Sequence, residues 1–186
     1  ALPFRKDAGN VNQYPICAAA QKKYRVTNDP DGVQGAIRLA AHAPGRSDPD
    51  HPKLQVLNNI YGGYFGSRLM SNIREDKGYT YGIHSFLENH AHQSAWVVST
   101  EAGRAVAEDA VKEIYNEMDD LREELVDDDE LMLVKNHMMG TLLSELDGPL
   151  PIRSKWTNII LHGLDHRYLS TTKETIKSRT AEELQA

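Results

Sequence analysis

The chain is 186 residues long, with 40% hydrophobic and 26% charged residues, the balance of an ordinary globular chain with one substantial core. Its 21 basic against 27 acidic residues leave a net charge of −6, which argues against a dedicated nucleic-acid binder, since that class carries an excess of Lys and Arg on one face. No stretch approaches the roughly 20 apolar residues that a membrane-spanning helix needs, and no charged-then-apolar leader opens the chain.

Residues 1–19 carry Pro3, Gly9 and Pro15 without a hydrophobic period and are expected to be a lead-in or linker; residues 20–186 are expected to form one domain. Lys22-Lys-Tyr-Arg-Val26 fits a strand, Asn28-Asp-Pro-Asp-Gly32 a turn, and Val33 to Ala41 a second strand running into Pro44-Gly-Arg-Ser-Asp-Pro49. Leu54, Leu57, Ile60 and Tyr61 recur at helical spacing, and Gly62-Gly63 ends that helix. A short helix is expected over Ser67 to Glu75, with Leu69, Met70 and Ile73 on one face and Gly78 as its stop. Tyr79 to Leu87 and Ser94 to Thr100 are rich in β-branched and aromatic residues and pair as a hairpin around Asn89 to Gln93.

The second half is helical. Val106, Ala110, Ile114, Met118 and Leu121 mark one amphipathic helix. Asp127-Asp-Asp-Glu130 opens another at its positive end, with Leu131, Val134, Met138 and Leu142 as its stripe. Pro149 and Pro151 punctuate, Trp156 to Leu161 is apolar, and Tyr168 to Ile176 is helical. Thr180 with Glu183 three residues later is a capping box. A helix that starts so close to the last residue makes the domain read as truncated at its C-terminus. The expected fold class is α+β: a mostly antiparallel sheet with helices packed on one face.

The candidate chemistry begins with eight histidines, His42, His51, His84, His90, His92, His137, His162 and His166. The chain has no His-x-x-Glu-His; its nearest approach is His162-Gly-Leu-Asp-His166, where Asp165 would stand as the base. Gly163 weakens a helix there, Asp is shorter than Glu, and no third ligand is identifiable, so a helix end capped by Gly163 is the competing reading. His90 and His92 fall in a turn and read as solvated. Cys17 excludes an internal disulfide or a multi-Cys zinc site, and no basic partner activates it as a nucleophile. Gly62-Gly-Tyr-Phe-Gly66 lacks Gly-Lys-Ser/Thr and reads as a helix stop with close backbone approach, not a phosphate loop. Arg74 ends a short helix and Tyr81 begins a strand, a corner that can set a guanidinium beside a phenol. Both are donors suited to a peptide carbonyl or a developing oxyanion, although a structural Arg and a half-buried Tyr fit the same pattern.

That corner resembles the insulinase-type family of zinc metallopeptidases, which includes pitrilysin and the mitochondrial processing peptidases, and more narrowly its second, C-terminal, non-zinc half-domain. Gln34-Gly-Ala-Ile-Arg-Leu39 is similar to the family strand before the active-site helices. Arg46-Ser-Asp-Pro-Asp50 with Leu54 to Gly63 is similar to its Gly-Gly helix. Phe65-Gly-Ser-Arg-Leu69, Ile73-Arg-Glu-Asp-Lys-Gly78 and Tyr81 resemble its most characteristic stretch, and Ser178 to Leu184 a late helix start. The resemblance implies a clamshell of two α+β halves. One half binds zinc through His-x-x-Glu-His and a downstream Glu; zinc polarises the scissile carbonyl, and the motif Glu is the base for its water. The other half gives an Arg and a Tyr seven residues apart, the spacing of Arg74 and Tyr81. Arg74 would hold the substrate backbone and Tyr81 the tetrahedral oxyanion. The zinc is therefore expected on the other half, with none in this chain. The expected partners are that half, in the same polypeptide or a separate subunit, and a peptide substrate. The alternative is a catalytically inactive binding or scaffold subunit of the same family.

Overall fold

Period-two alternation sets the sheet. In a computed structural model that describes residues 19–90 and 93–185, three ten-residue strands, β1 (Gln34–Ala43), β2 (Thr80–Asn89) and β3 (Ser94–Gly103), pair antiparallel in the order β1-β3-β2. The register sets Leu39 against Val98 and His84 against Ser99. One face, carrying Ile37, Leu39, Ile83, Trp96, Val98 and Ala102, turns to the helices. The opposite face carries Arg38, Ser99 and His84 side by side across the three strands. The expected α+β architecture with helices on one face is what the structure has.

The chain divides into two units, Ala1–Asp31 and Gly32–Ala186. The described part of the first, residues 19–31, holds no helix or strand. The strand expected over Lys22 to Val26 is therefore corrected. Tyr24 and Val26 are 60% and 81% exposed, so the segment buries no apolar face, and a strand without that burial has nothing to stabilise it. Cys17 and His92 lie outside the described residues.

In the second unit α1 (His51–Asn58) widens into a π-helical turn, Asn59–Gly63, and a second π-helical segment, Met70–Asp76, follows. The remaining helices are α2 (Ala107–Glu123), α3 (Asp128–Ser144), α4 (Pro149–Leu161), α5 (Arg167–Ser178) and α6 (Ala181–Gln185). Asp127 caps α3 by accepting from the Asp129 N–H at 2.8 Å, and Thr180 and Glu183 exchange 3.3 Å bonds as a capping box. Pro149, expected as punctuation, is the first residue of α4, where a missing N–H costs nothing. No helix among the described residues is long and apolar enough to cross a membrane.

Two cores result. The first seats Tyr61, Leu69, Met70, Ile73, Ala110 and Ile114 on the sheet; the second joins α1, α3, α5 and α6 through Val56, Ile60, Leu131, Val134, Ile176 and Leu184. The joint between helix and sheet is polar as well as tight. Asn58 donates to the Ser85 carbonyl at 3.2 Å and accepts from the Trp96 indole at 2.9 Å, while the Ser85 hydroxyl donates to the Asn58 carbonyl at 3.3 Å. Gly62 lies so close to β2 that a Cβ there would stand 2.7 Å from Ser85 Oγ and 2.9 Å from the Ser85 backbone nitrogen. Gly62→Ala is expected to destabilise the protein by about 1–3 kcal/mol, because backbone on the facing strand cannot give way. Chemical denaturation measures this, and an unchanged midpoint would contradict the close approach.

His51 is buried at the start of α1, with Nε2 3.1 Å from Asn89 Oδ1 and Nδ1 without a partner among the described residues. Burial, helped by the nearby Arg46 and His162 and opposed by the Asn89 bond and Asp48, holds its pKa below the ordinary 6.5. The unfolded chain then takes up the proton first, so this contribution to stability is complete above the unfolded pKa and declines as pH falls below it. The slope is at most about 1.4 kcal/mol per pH unit for one proton. Denaturation curves across this pH range are expected to be less steep in pH for His51→Gln than for the wild type; equal slopes would exclude His51 as the source.

Candidate functional site

The corner between the second π-helical segment and β2 is built by three local devices. Arg68, just before the segment, forms a bidentate pair with Glu130 in the first turn of α3 at 2.9 and 2.8 Å. Hydrogen bonding to that carboxylate raises the Arg68 pKa against the cost of its burial, and the bidentate pair anchors the helix entrance. Leu69, Met70 and Ile73 then bury one face against the sheet. On the other side, Asn72 reaches Glu117 at 2.6 Å and Lys77 reaches Glu113 at 3.0 Å, tying the segment to α2.

The exit is shaped by glycine. Gly78 has φ +65°, a conformation that L side chains rarely adopt, and the Tyr79 N–H beyond it reaches back to the Ile73 carbonyl at 3.0 Å. A β-bulge follows. Thr80 pairs with Ala102 and Ile83 with Thr100, so β2 holds one residue more than β3 over this interval. The bulge is fixed by hydroxyls: Thr80 Oγ1 donates to the Glu101 carbonyl at 2.6 Å and accepts from the Gly82 N–H at 3.1 Å, and Thr100 Oγ1 donates to the Gly82 carbonyl at 2.9 Å. Tyr81 sits in this bulge and is turned into solvent, 93% exposed.

Arg74 and Tyr81 are brought together: the guanidinium carbon lies 5.7 Å from the Tyr81 ring centroid. Phe65 joins them, its ring centroid 4.8 Å from the same carbon, and Glu75 Oε1 accepts from Arg74 Nη1 at 2.7 Å. In the sequence Phe65 stands as the first residue of the family-like stretch Phe65-Gly-Ser-Arg-Leu69, with no role of its own assigned to it. Tyr81 also borders a hollow of about 620 Å³ on the helix-free face of the sheet, shared with Arg38, His84, Ser99 and Glu101. Chemically, the corner offers a phenol O–H and guanidinium N–H groups to a substrate, and the hollow beside it offers further polar side chains.

Residues 2–138 match the family described as the peptidase M16 inactive domain. The chain belongs to this family. An "uncharacterized zinc protease" of Mycobacterium tuberculosis is 25% identical over 182 residues, 98% of this chain and 40% of that protein. Among solved structures, the peptidase M16 inactive domain from Pseudomonas fluorescens superposes with a TM-score of 0.75 at 24% identity, covering 83% of this chain and 37% of that one. The inactive peptidase domain of a Bordetella parapertussis protein gives a TM-score of 0.72 at 14% identity, covering 86% and 87%. The two structural likenesses concern the fold. The M16 inactive domain described here spans about 40% of the length of the mycobacterial relatives it matches.

Zinc does not fit the described residues of this M16 domain. No three His, Cys, Asp or Glu side chains among them converge as ligands. His162 and His166 do not share a helix: α4 stops at Leu161, Gly163 takes φ +69°, and the Gly163 and Leu164 N–H groups return to the Ile160 and Ile159 carbonyls in a Schellman motif. Asp165 is engaged by the Arg167 side chain and N–H, which hold its pKa down to about 2. It is an ion-pair partner and no general base. His90 stands 3.6 Å from Glu88 in the hairpin turn and is largely exposed. Zinc retained after dialysis is expected to be the same for the wild type and His166→Ala; metal analysis showing a loss with the variant would restore the pair as a ligand site.

Proposed function

We propose that residues 20–186 act as the second half-domain of a zinc metalloendopeptidase, with Arg74 and Tyr81 as its contribution to the cleft. The zinc-binding residues lie outside this chain, on another half of the same polypeptide or on a partner subunit. The observation that carries the reading is the joint presentation of a guanidinium and a phenol on an exposed corner, held by a bulge and a left-handed glycine and not by burial in the fold's own core. Peptide substrate is the ligand this pair suits. Arg74 donates N–H groups to a backbone carbonyl of the bound peptide, which fixes its register. The Tyr81 hydroxyl donates to the oxygen on which charge develops during hydrolysis. Removing one donor of that kind costs about 3 kcal/mol of transition-state stabilisation when the site excludes water.

The family match and the zinc-protease names of the relatives support the peptidase class. The test uses the full-length protein together with its zinc-bearing half. Tyr81→Phe is expected to lower peptide turnover at least about tenfold. It should leave thermal stability unchanged, because the side chain is almost fully exposed. Wild-type turnover in that variant would remove the catalytic role and leave the binding or scaffold subunit as the reading.

A further inference from the structure

Phe65 has no explanation within the fold. It is 66% exposed, belongs to neither core, and stands in a turn where the Ser67 N–H returns to the Tyr64 carbonyl at 3.2 Å. A side chain placed for burial would not keep two-thirds of its surface in water. Among the described residues its ring contact is with Arg74, whose guanidinium carbon lies 4.8 Å from the ring centroid. Guanidinium planes stack on aromatic faces, and such contacts are favourable even at exposed sites. The turn holds Phe65 at this spot through glycine: a Cβ at Gly66 would stand 2.8 Å from the Tyr64 ring.

The geometry points to Phe65 as a positioning residue for Arg74, an inference that rests on the substrate-binding role given to Arg74 above. The ring centroid stands 4.8 Å from the guanidinium carbon, and Glu75 takes up Nη1 at 2.7 Å. These two contacts restrict the group before substrate arrives and leave its other N–H groups available to a hydrogen-bond acceptor. Arg loses much side-chain rotamer entropy when it is fixed, so an arginine already ordered binds a peptide carbonyl more tightly than a free one. Phe65 does not need to touch the substrate for this effect; it acts through Arg74.

The experiment is a double-mutant cycle in the full-length protein with its zinc-bearing half. The probe is one quenched-fluorescent peptide chosen from a mixed-sequence library by its cleavage. Phe65→Ala is expected to raise KM about threefold to fivefold with little change in kcat, and Phe65→Tyr to restore the wild-type KM. In an Arg74→Ala background, Phe65→Ala is expected to add nothing. The affinity of the same peptide, labelled and measured with zinc removed by a chelator, should follow the same pattern. Equal losses from Phe65→Ala in both backgrounds would overturn the inference, since the ring would then act on substrate or fold directly. No loss from Phe65→Ala while Arg74→Ala is impaired would overturn it and leave the role of Arg74 standing. Wild-type behaviour of Arg74→Ala would remove that role and the inference together.

Discussion

The site depends on how closely one helix can approach one strand. Gly62 brings the wide turn after α1 against β2 at a distance that no side chain permits, and Asn58 closes the joint by bonding to both Ser85 and Trp96. That contact fixes where the chain leaves the first helix. Leu69 then enters the sheet core beside Gly62, the second π-helical segment lies against β2, and Arg74 emerges at its end. A bulkier residue at 62 would move the whole ledge, and with it the guanidinium, relative to the strand that carries Tyr81. Stability and site geometry are in this sense the same contact.

Holding the Arg74 side chain, 26% exposed, in one place requires compensation. Fixing an arginine costs about 2 kcal/mol of rotamer entropy. Two aromatic rings within cation–π range return about 0.5–1 kcal/mol each at an exposed site. The Glu75 partner is 54% exposed, and pairs of that kind add at most about 1 kcal/mol. The terms come close to cancelling. The guanidinium is therefore ordered without being locked, which would suit the proposed exchange of its neighbours for a peptide.

Much of this was legible in the chain. The Gly62-Gly63 stop, the hairpin, the acidic start of α3 and the Thr180 capping box all rest on interactions within a few residues, and local patterns report local interactions. The Arg74 to Tyr81 pairing was legible through resemblance, while the residues alone left a structural reading open. What pattern reading could not supply depends on distant partners. The π-helical width of 70–76 preserves the same apolar face as an α-helix, so it leaves no mark in the period. The bulge at Thr80 to Ile83 shifts Tyr81 out of strand alternation, and its cause is a hydroxyl cluster with Thr100 twenty residues away. Phe65 is defined by a ring contact nine positions along the chain. The strand over Lys22 to Val26 failed for the complementary reason: local propensity was present and apolar burial was not.

Exposure also bears on when the proposed donors could act. A charge interaction at 4 Å is worth about 1 kcal/mol in bulk water and about 4 kcal/mol at the effective dielectric near a protein surface. Tyr81, 93% exposed beside an open hollow, is at the weak end of that range in this chain by itself. The proposed oxyanion role would therefore draw its roughly 3 kcal/mol from a second surface that covers the corner and drives water out. The helix-free face of the sheet, with Arg38, Ser99 and His84 in a row next to Tyr81, is the surface such a complement would have to meet. In the proposed reading this chain would supply orientation in advance, and the low dielectric that gives the orientation its value would come from the complementary half.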